Sequence, residues 1–436
     1  MNIVDIIIKK RDGKILTKEE FDYVIEGYSN GEIPDYQIAA LLMAIFFKGM
    51  TNEEIFRLTF AMKKSGSIID LSHIKGTKVD KHSSGGVGDK TTLIVGPIAA
   101  AAGVKIAKMS GRGLGFTGGT IDKLESIPNF KAVLSEEEFQ RQVEEIGIAI
   151  VGQSKDIAKA DKLLYALRDV TGTVDYVGLI ASSIMSKKLA SGSDAIVLDV
   201  KYGSGAFMKT FDEARKLAEI MVEIGKADGK KTRAAITSME EPLGHNVGNS
   251  LEVIEAIEVL KGNGPKDLIE LSINLSGLMI SASDEKISFE KAKEISMDMI
   301  SSGKALAKFK EMIKWQNGDE TVIYDYEKLP RGVFAREVHG EEGMVVTSIF
   351  TKKIGHSSQL LGAGREKKDD NIDLGAGIIV RKKVGDVLSQ GDTLLGTLYT
   401  NDQSKFDVAE NLFREAYSLE PKGSKIFKAK LIKEVL

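Results

Sequence analysis

The hydrophobic texture of this chain changes twice. The first 65 residues read as helices: Thr17-Lys-Glu-Glu20 and Thr51-Asn-Glu-Glu54 both have the capping-box form, in which a hydroxyl and a glutamate three positions on satisfy each other's backbone donors. Between them Pro34-Asp35 opens DYQIAALLMAIFFKG, a helix that Gly49 can end. It is apolar nearly all round, which suits the centre of a bundle or a subunit contact, with core the first expectation. From about residue 78, glycine-rich loops separate short strands from helices: VKIAKMS (104–110), IAIVGQ (148–153), AIVLDVKYG (195–203) and TRAAITSM (232–239), with a further capping box at Ser135-Glu-Glu-Glu138. Such alternation predicts a largely parallel sheet covered by helices, with ligands at the loops beyond the strands' C-terminal ends. Two helical stretches, 156–170 and 176–190, interrupt it and can return to the N-terminal bundle, leaving a cleft between bundle and sheet.

After about residue 330 the pattern becomes short strands punctuated by turns, as in GAGIIVRKKVGDVLSQGDTLLGTLYT. VGDVLSQGDTL resembles lipoyl and biotinyl carriers, but no lysine sits at the hairpin, so a structural appendage is expected. The predicted fold is α/β: a discontinuous helical domain (1–65 with about 156–193), an α/β domain with a mostly parallel sheet (about 70–155 with 194–330), and a C-terminal β-rich α+β module (331–436).

Composition narrows the function. At 436 residues the chain needs two or three domains, and 42% hydrophobic with 28% charged residues is ordinary for a soluble globular protein. A net charge of −3 gives no basic surface for nucleic acid. The absence of cysteine excludes disulfides, thiolate chemistry and cysteine metal sites, and fits a reducing cytoplasm. The opening MNIVDIIIKKRDG is broken by Asp5 and too short for a signal sequence, and no later stretch approaches the ~20 apolar residues of a membrane span.

Two glycine-rich loops carry the candidate chemistry: KVDKHSSGGVGDKTT (78–92) and GRGLGFTGGT (111–120). Gly113-Leu-Gly115-Phe-Thr-Gly118 formally matches a dinucleotide fingerprint, yet no clear strand ends in an acid about 20 residues on. Gly88-Asp89-Lys90 breaks the Walker A spacing. Together the loops read differently. Lys81 and Ser83 follow one strand, Lys108 and Ser110 another, and Thr92 and Thr120 lie near helix starts, where free N–H groups and the dipole favour an anion. One such loop is as readily an ordinary turn; the repeated Lys-x-Ser pattern points to a phosphate site. A third cluster lies on the inserted helices, where Tyr165 and Arg168 are three apart and Ser183 and Lys187 four apart, each pair sharing a helical face. These faces either line the cleft or are solvated. His82 either braces its loop or donates to a reacting group; an ordinary pKa near working pH favours the second.

The runs KHSSGGVGDK and KMSGRGLGFTGGTIDKLESIP and the pair RDVTGTV and SSIMSKKLA strongly resemble the pyrimidine-nucleoside phosphorylases, relatives of thymidine phosphorylase, and the likeness extends over essentially the whole chain. It implies a homodimer, with phosphate on the larger domain, nucleoside on the smaller, and closure joining them. The phosphate contacts it implies are Lys81, His82, Ser83, Thr92, Lys108, Met109, Ser110 and Thr120. Its base-binding set falls on His82, Tyr165, Arg168, Ser183 and Lys187, with Leu114 and Phe207 walling the pocket. No organic cofactor is implied; inorganic phosphate is the co-substrate, and a potassium ion is implied at Gly88, Lys90, Leu243, Asn246 and Glu255. Three positions depart from the pattern: Phe116 stands where many relatives have histidine, Lys90 where threonine is common, and His245-Asn246 where smaller residues are usual. Lys90 leaves open whether an ion or its own ammonium takes the carbonyls at that site.

The implied reaction is attack of phosphate on the anomeric carbon opposite the base of uridine, thymidine or deoxyuridine. Arg168 and Lys187 then face the charge building on the departing pyrimidine, Ser183 orients it, and His82 donates to its O2 carbonyl; Lys81 and Lys108 hold the phosphate. The nearest enzyme alternative is a phosphoribosyltransferase of the anthranilate type, which shares the architecture but needs magnesium and an acidic pair not evident beside these loops. A catalytically silent nucleoside- or phosphate-binding protein is the alternative of another class.

Overall fold

The first four helices begin and end largely where the capping residues put them. The structure is a computed structural model that describes residues 1–113, 115, 116, 118–153, 156–365, 367 and 370–436. Helices α1 (Ile3–Arg11), α2 (Lys18–Ser29), α3 (Asp35–Lys48) and α4 (Asn52–Lys64) open the chain, and both expected capping boxes form at α2 and α4. Helix α3 divides its apolar surface. Ile38, Leu41, Leu42 and Ile45 are buried in the bundle, whereas Tyr36 (73%) and Phe47 (75%) stand exposed with Met43 on the opposite face. The expected core role therefore holds for half of that helix.

The alternating region follows: β1 (Lys78–Ser83), α5 (Thr91–Ala101), β2 (Lys105–Ser110), α6 (Thr120–Glu125), α7 (Glu136–Ile146), β3 (Ile148–Gly152), α8 (Lys159–Thr171), α9 (Val177–Ala190), β4 (Ala195–Tyr202), α10 (Phe211–Ala227) and β5 (Lys231–Ser238). Boxes at Ser135/Glu138 and Thr210/Glu213 cap α7 and α10. A short strand β6 (Asn246–Gly248) leads into α11 (Asn249–Leu260), α12 (Lys266–Ser283), α13 (Phe289–Ser301) and α14 (Lys304–Trp315). The β-rich end comprises β7 (Phe334–His339), β8 (Met344–Ile349), α15 (Thr351–Ser358), β9 (Gly377–Val380), β10 (Leu394–Thr400), α16 (Phe406–Arg414), β11 (Tyr417–Pro421) and β12 (Ile432–Val435).

The main sheet runs β12-β5-β4-β1-β2-β3, parallel except for β12, which lies antiparallel to β5. From β1 the chain moves outward through β2 and β3, then returns to the other side of β1 as β4 and β5. The switch in direction falls between β1 and β4, where open α/β sheets place ligands. Ala160 and Leu164 of α8 and Leu179 of α9 share a core with Phe21, Leu41 and Leu58 of the bundle. Residues Ala181, Met185 and Leu189 of α9 pack instead with β4, β5 and α10, so this helix touches both bodies. The C-terminal region exchanges strands with the main body. Strand β6 joins its sheet, β6-β9-β10-β7, while β12 leaves it for the main one. Among the described residues no helix is long and apolar enough to cross a membrane.

Candidate active site

Strand β1 pairs with β4 along its length but with β2 only at Lys78 and Val79, so β1 and β2 part before their C-terminal ends. Lys108 reaches from β2 into that gap, donating to the Lys81 carbonyl and lying 3.5 Å from Asp80 Oδ1. Alternation along β1 puts Lys81 on the opposite face from Asp80 and His82. Its ammonium meets Thr91 Oγ1 at 2.6 Å and Asp199 Oδ2 at 3.6 Å. Both lysines expected at the phosphate are thus buried and held by internal acceptors. Ser83 donates to Asp89 and accepts from the Gly85 amide at 3.2 Å. Thr92 is buried in the first turn of α5, and Thr120 is the first residue of α6. In contrast to the boxed helices, neither of these has a side-chain cap from its N-cap residue, Lys90 or Gly119. Ser110 ends β2, beside Met109.

Carboxylates that the sequence reading passed over organise these cations. Asp80, fully buried, accepts from Lys188 of α9 at 2.8 Å as well as facing Lys108; Lys188 also donates to the Met109 carbonyl at 3.0 Å. Across the strand Asp199 pairs with the fully buried Lys201 at 2.8 Å and accepts from Thr237 at 2.6 Å. Asp89, held well below the usual carboxylate range by Lys201 and Lys81 against the opposing effect of burial, also accepts from Thr91. The available signal was a charge inside an otherwise apolar strand, as in AIVLDVKYG: charged residues are rarely buried unless paired.

His82 lies among these charges. Burial, and then Lys188, Lys108, Lys81 and Lys187, hold its ring well below the usual imidazole range. These surroundings favour the neutral ring, in contrast to the ordinary pKa expected from the sequence. A neutral ring still carries one N–H, and the buried Nε2 has no partner among the described residues. Lys188 bridges Asp80 of β1 and the Met109 carbonyl of β2, and Lys108 lies against Asp80 and the Lys81 carbonyl, so α9 and the two phosphate strands meet beside His82.

Lys108 is pushed down to about 7, chiefly by burial and next by Lys188, against the pull of Asp80. A bound anion favours its charged form. Raising the pH from 7 to 9 removes that proton, so half-saturation for phosphate should rise across this window. In Lys108→Arg, which stays charged, the rise should flatten. Steady-state kinetics in phosphate at fixed nucleoside measures both; equal slopes would count against Lys108 as a phosphate ligand.

On the inserted helices, Lys187 donates to the buried Asp161 and, at 3.0 Å, to Ser183 Oγ. Its side chain keeps 25% exposure and one further N–H. Arg168 differs from the expected picture. It is buried, and its Nε, Nη1 and Nη2 donate to the carbonyls of Thr173, Leu179 and Val174 at 3.3, 3.1 and 2.6 Å. In this arrangement it braces the turn between α8 and α9, the turn that aims Ser183 and Lys187. Tyr165 is half-exposed on α8, its hydroxyl pushed up mainly by burial.

Phe207, half-exposed in the loop after β4, lies 3.7 Å from where a Cβ on Gly85 would sit. Its ring is 6.3 Å from Phe116, which also stacks on His356 of α15 at 5.2 Å. Where a histidine would offer a polar contact, Phe116 thus joins the second glycine loop to the C-terminal region. Arg365 adds a polar tie, donating to Asp122 at 2.9 Å and to the Gly113 carbonyl at 3.3 Å. The expected appendage thus braces a site loop. Leu114, the other expected wall residue, lies outside the described residues.

The five positions named for potassium do converge, around the Lys90 ammonium. It donates to the Leu243 carbonyl at 2.9 Å, the Asn246 carbonyl at 2.8 Å and the Glu255 carboxylate. Gly88 backs the cage: a Cβ there would lie 2.7 Å from the Leu243 carbonyl. The donor set suits a monovalent cation, but the chain's own ammonium uses the oxygens an ion would need. These residues do not fit a bound potassium ion.

Comparison with known proteins places this geometry. Residues 4–66 match the helical bundle domain of a glycosyl transferase family and residues 75–306 the α/β domain of that family. Residues 345–420 match the pyrimidine nucleoside phosphorylase C-terminal domain. The bundle, parallel sheet and paired glycine loops thus define a glycosyl transferase of this two-domain class. A pyrimidine-nucleoside phosphorylase of Staphylococcus epidermidis is 52% identical over 423 residues, 97% of either chain. One of Geobacillus stearothermophilus is 52% identical over 413 residues, 95% of either chain. The chain belongs to the pyrimidine-nucleoside phosphorylase family. Anthranilate phosphoribosyltransferase from Thermus thermophilus shares the fold, with a TM-score of 0.56 at 19% identity over 72% of this chain and 99% of its own.

Proposed function

We propose that the chain catalyses reversible phosphorolysis of pyrimidine nucleosides, giving free base and ribose or deoxyribose 1-phosphate. The observation that carries this reading is the convergence of the phosphate strands and Lys188 of α9 on Asp80, beside the buried, unpartnered Nε2 of His82. Phosphate, held by Lys81, Lys108 and the hydroxyls of Ser83, Thr92, Ser110 and Thr120, attacks the anomeric carbon. The C–O bond forms as the C–N bond breaks, and the bonding pair leaves with the base. His82 donates its N–H to the base O2 without needing to titrate, and Lys187 stabilises the charge on the ring. The protein aligns the nucleophile and stabilises the leaving group without a covalent intermediate.

Release of free base from uridine and from thymidine, each with and without inorganic phosphate, tests this reading. Phosphate-dependent release from both is expected. No release from either would overturn it, and release dependent on magnesium and a pentose diphosphate would favour the transferase.

We assign the working form as a cytoplasmic homodimer. Its support is the exposed stripe of Tyr36, Ala40, Met43 and Phe47, which share one face of α3. Contiguous apolar surface of this kind marks an interaction site. Sedimentation should find a dimer that Phe47→Glu splits; a monomeric wild-type chain at micromolar concentration removes the assignment.

A further inference from the structure

We infer that Lys90 is a built-in replacement for a bound monovalent cation, and that this enzyme works and folds without potassium. The ammonium is fully buried and has three N–H donors; it meets three oxygen acceptors, two carbonyls and a carboxylate. The carboxylate is satisfied as well. Besides Lys90, Glu255 accepts from the His245 amide at 2.8 Å and the Asn246 amide at 3.1 Å. The cage is tight on its remaining side, since a Cβ on Gly244 would fall 3.2 Å from the ammonium. Charge, donors and acceptors therefore balance without any ion.

The position of this tether gives it a function. Lys90 is the residue before α5, whose first turn holds Thr91 and Thr92. Leu243 lies in the loop after β5, Asn246 opens β6, and Glu255 lies on α11. The ammonium thus fastens the phosphate loop to a segment more than 150 positions further along the chain. A mobile ion would do so only while bound, with its occupancy set by its concentration. A lysine does so covalently from one side.

The inference rests on the family assignment for the place of the ion, and not on the roles given to His82, Arg168 or Lys187. Its test compares potassium chloride with tetramethylammonium chloride, whose cation is too large for the cage, at constant ionic strength. Wild-type turnover of uridine and its Tm should be the same in both salts. Lys90→Thr removes the ammonium and leaves Glu255 and two carbonyls facing a void. Its Tm should fall in tetramethylammonium and recover in potassium, with turnover changing at least ~10-fold in the same direction.

A wild-type Tm or rate that climbs saturably with potassium overturns the inference, as does a Lys90→Thr variant indifferent to the ion. If Lys90→Thr fails to fold, equilibrium dialysis of the wild type against thallium(I), a potassium surrogate, decides. No retained ion supports the built-in cation, and one ion per chain overturns it. A chain that turns over no nucleoside in any salt would defeat the functional reading, while the Tm and dialysis arms would still decide the role of Lys90.

Discussion

Lys187→Ala should lower turnover of uridine by at least ~10²–10³, the usual loss when a donor aimed at developing charge is removed, while half-saturation for phosphate stays near its wild-type value. Two of the three Lys187 N–H donors are committed, to Asp161 and Ser183, and these fix its direction. In the proposed reaction the third is left for the base. Alanine deletes that donor and also leaves Asp161, with only 6% side-chain exposure, without its ion-pair partner. A carboxylate facing a departing anion opposes the reaction, so the loss exceeds that of a simple hydrogen bond. Asp161→Asn is the informative control. It keeps the cation and a polar neighbour, and its activity should fall much less. Near-normal turnover in Lys187→Ala would remove Lys187 from the leaving group.

Arg168 would have been expected to behave in the same way, and the structure separates the two. Its three carbonyl contacts are local, spanning 5 to 11 positions, and reflect a guanidinium tying the end of α8 to the turn and the first turn of α9. Spacing within YALRDVTGTV shows that Tyr165 and Arg168 share a face; it does not show which acceptors the side chain meets when it is buried. Helix starts, in contrast, were legible because a capping box is complete within four residues. Strands β2 to β5 were legible because each holds a short apolar run beside a glycine loop, whereas β1, KVDKHS, has a single apolar residue.

Partners of the cations were not legible in that way. Lys188 and Asp80 are separated by 108 positions, Lys90 and Glu255 by 165. The crossover connections of the finished sheet, with the helices they carry, bring such groups together. The two-sidedness of α3 was hidden for a related reason: an all-round apolar helix has the same pattern whether neighbours cover one face or both. Strand β12 is four residues of alternating exposure at the chain end, and its place beside β5 follows from the packing of the finished sheet.

The largest stability effect is expected at Asp80, which has no role in touching substrate. Asp80→Asn removes the negative charge between two buried ammonium groups, Lys108 and Lys188. Breaking a buried ion pair from one side costs about 3–5 kcal/mol, because the charge left behind is neither solvated nor paired. At pH 7 the penalty falls chiefly on Lys188, because Lys108, already lowered to about 7, should without Asp80 lose its proton below neutral pH. Urea unfolding at pH 7 should therefore show a lower midpoint with an unchanged slope, and phosphate half-saturation should rise. Adding Lys188→Met to Asp80→Asn removes one stranded charge. The double variant should regain a large part of the lost stability, although it has lost more hydrogen bonds than the single one. A double variant less stable than Asp80→Asn would mean that Lys188 stabilises the fold through the Met109 carbonyl alone. An additive pair of losses would place Asp80 outside the charge network that links α9 to the phosphate strands.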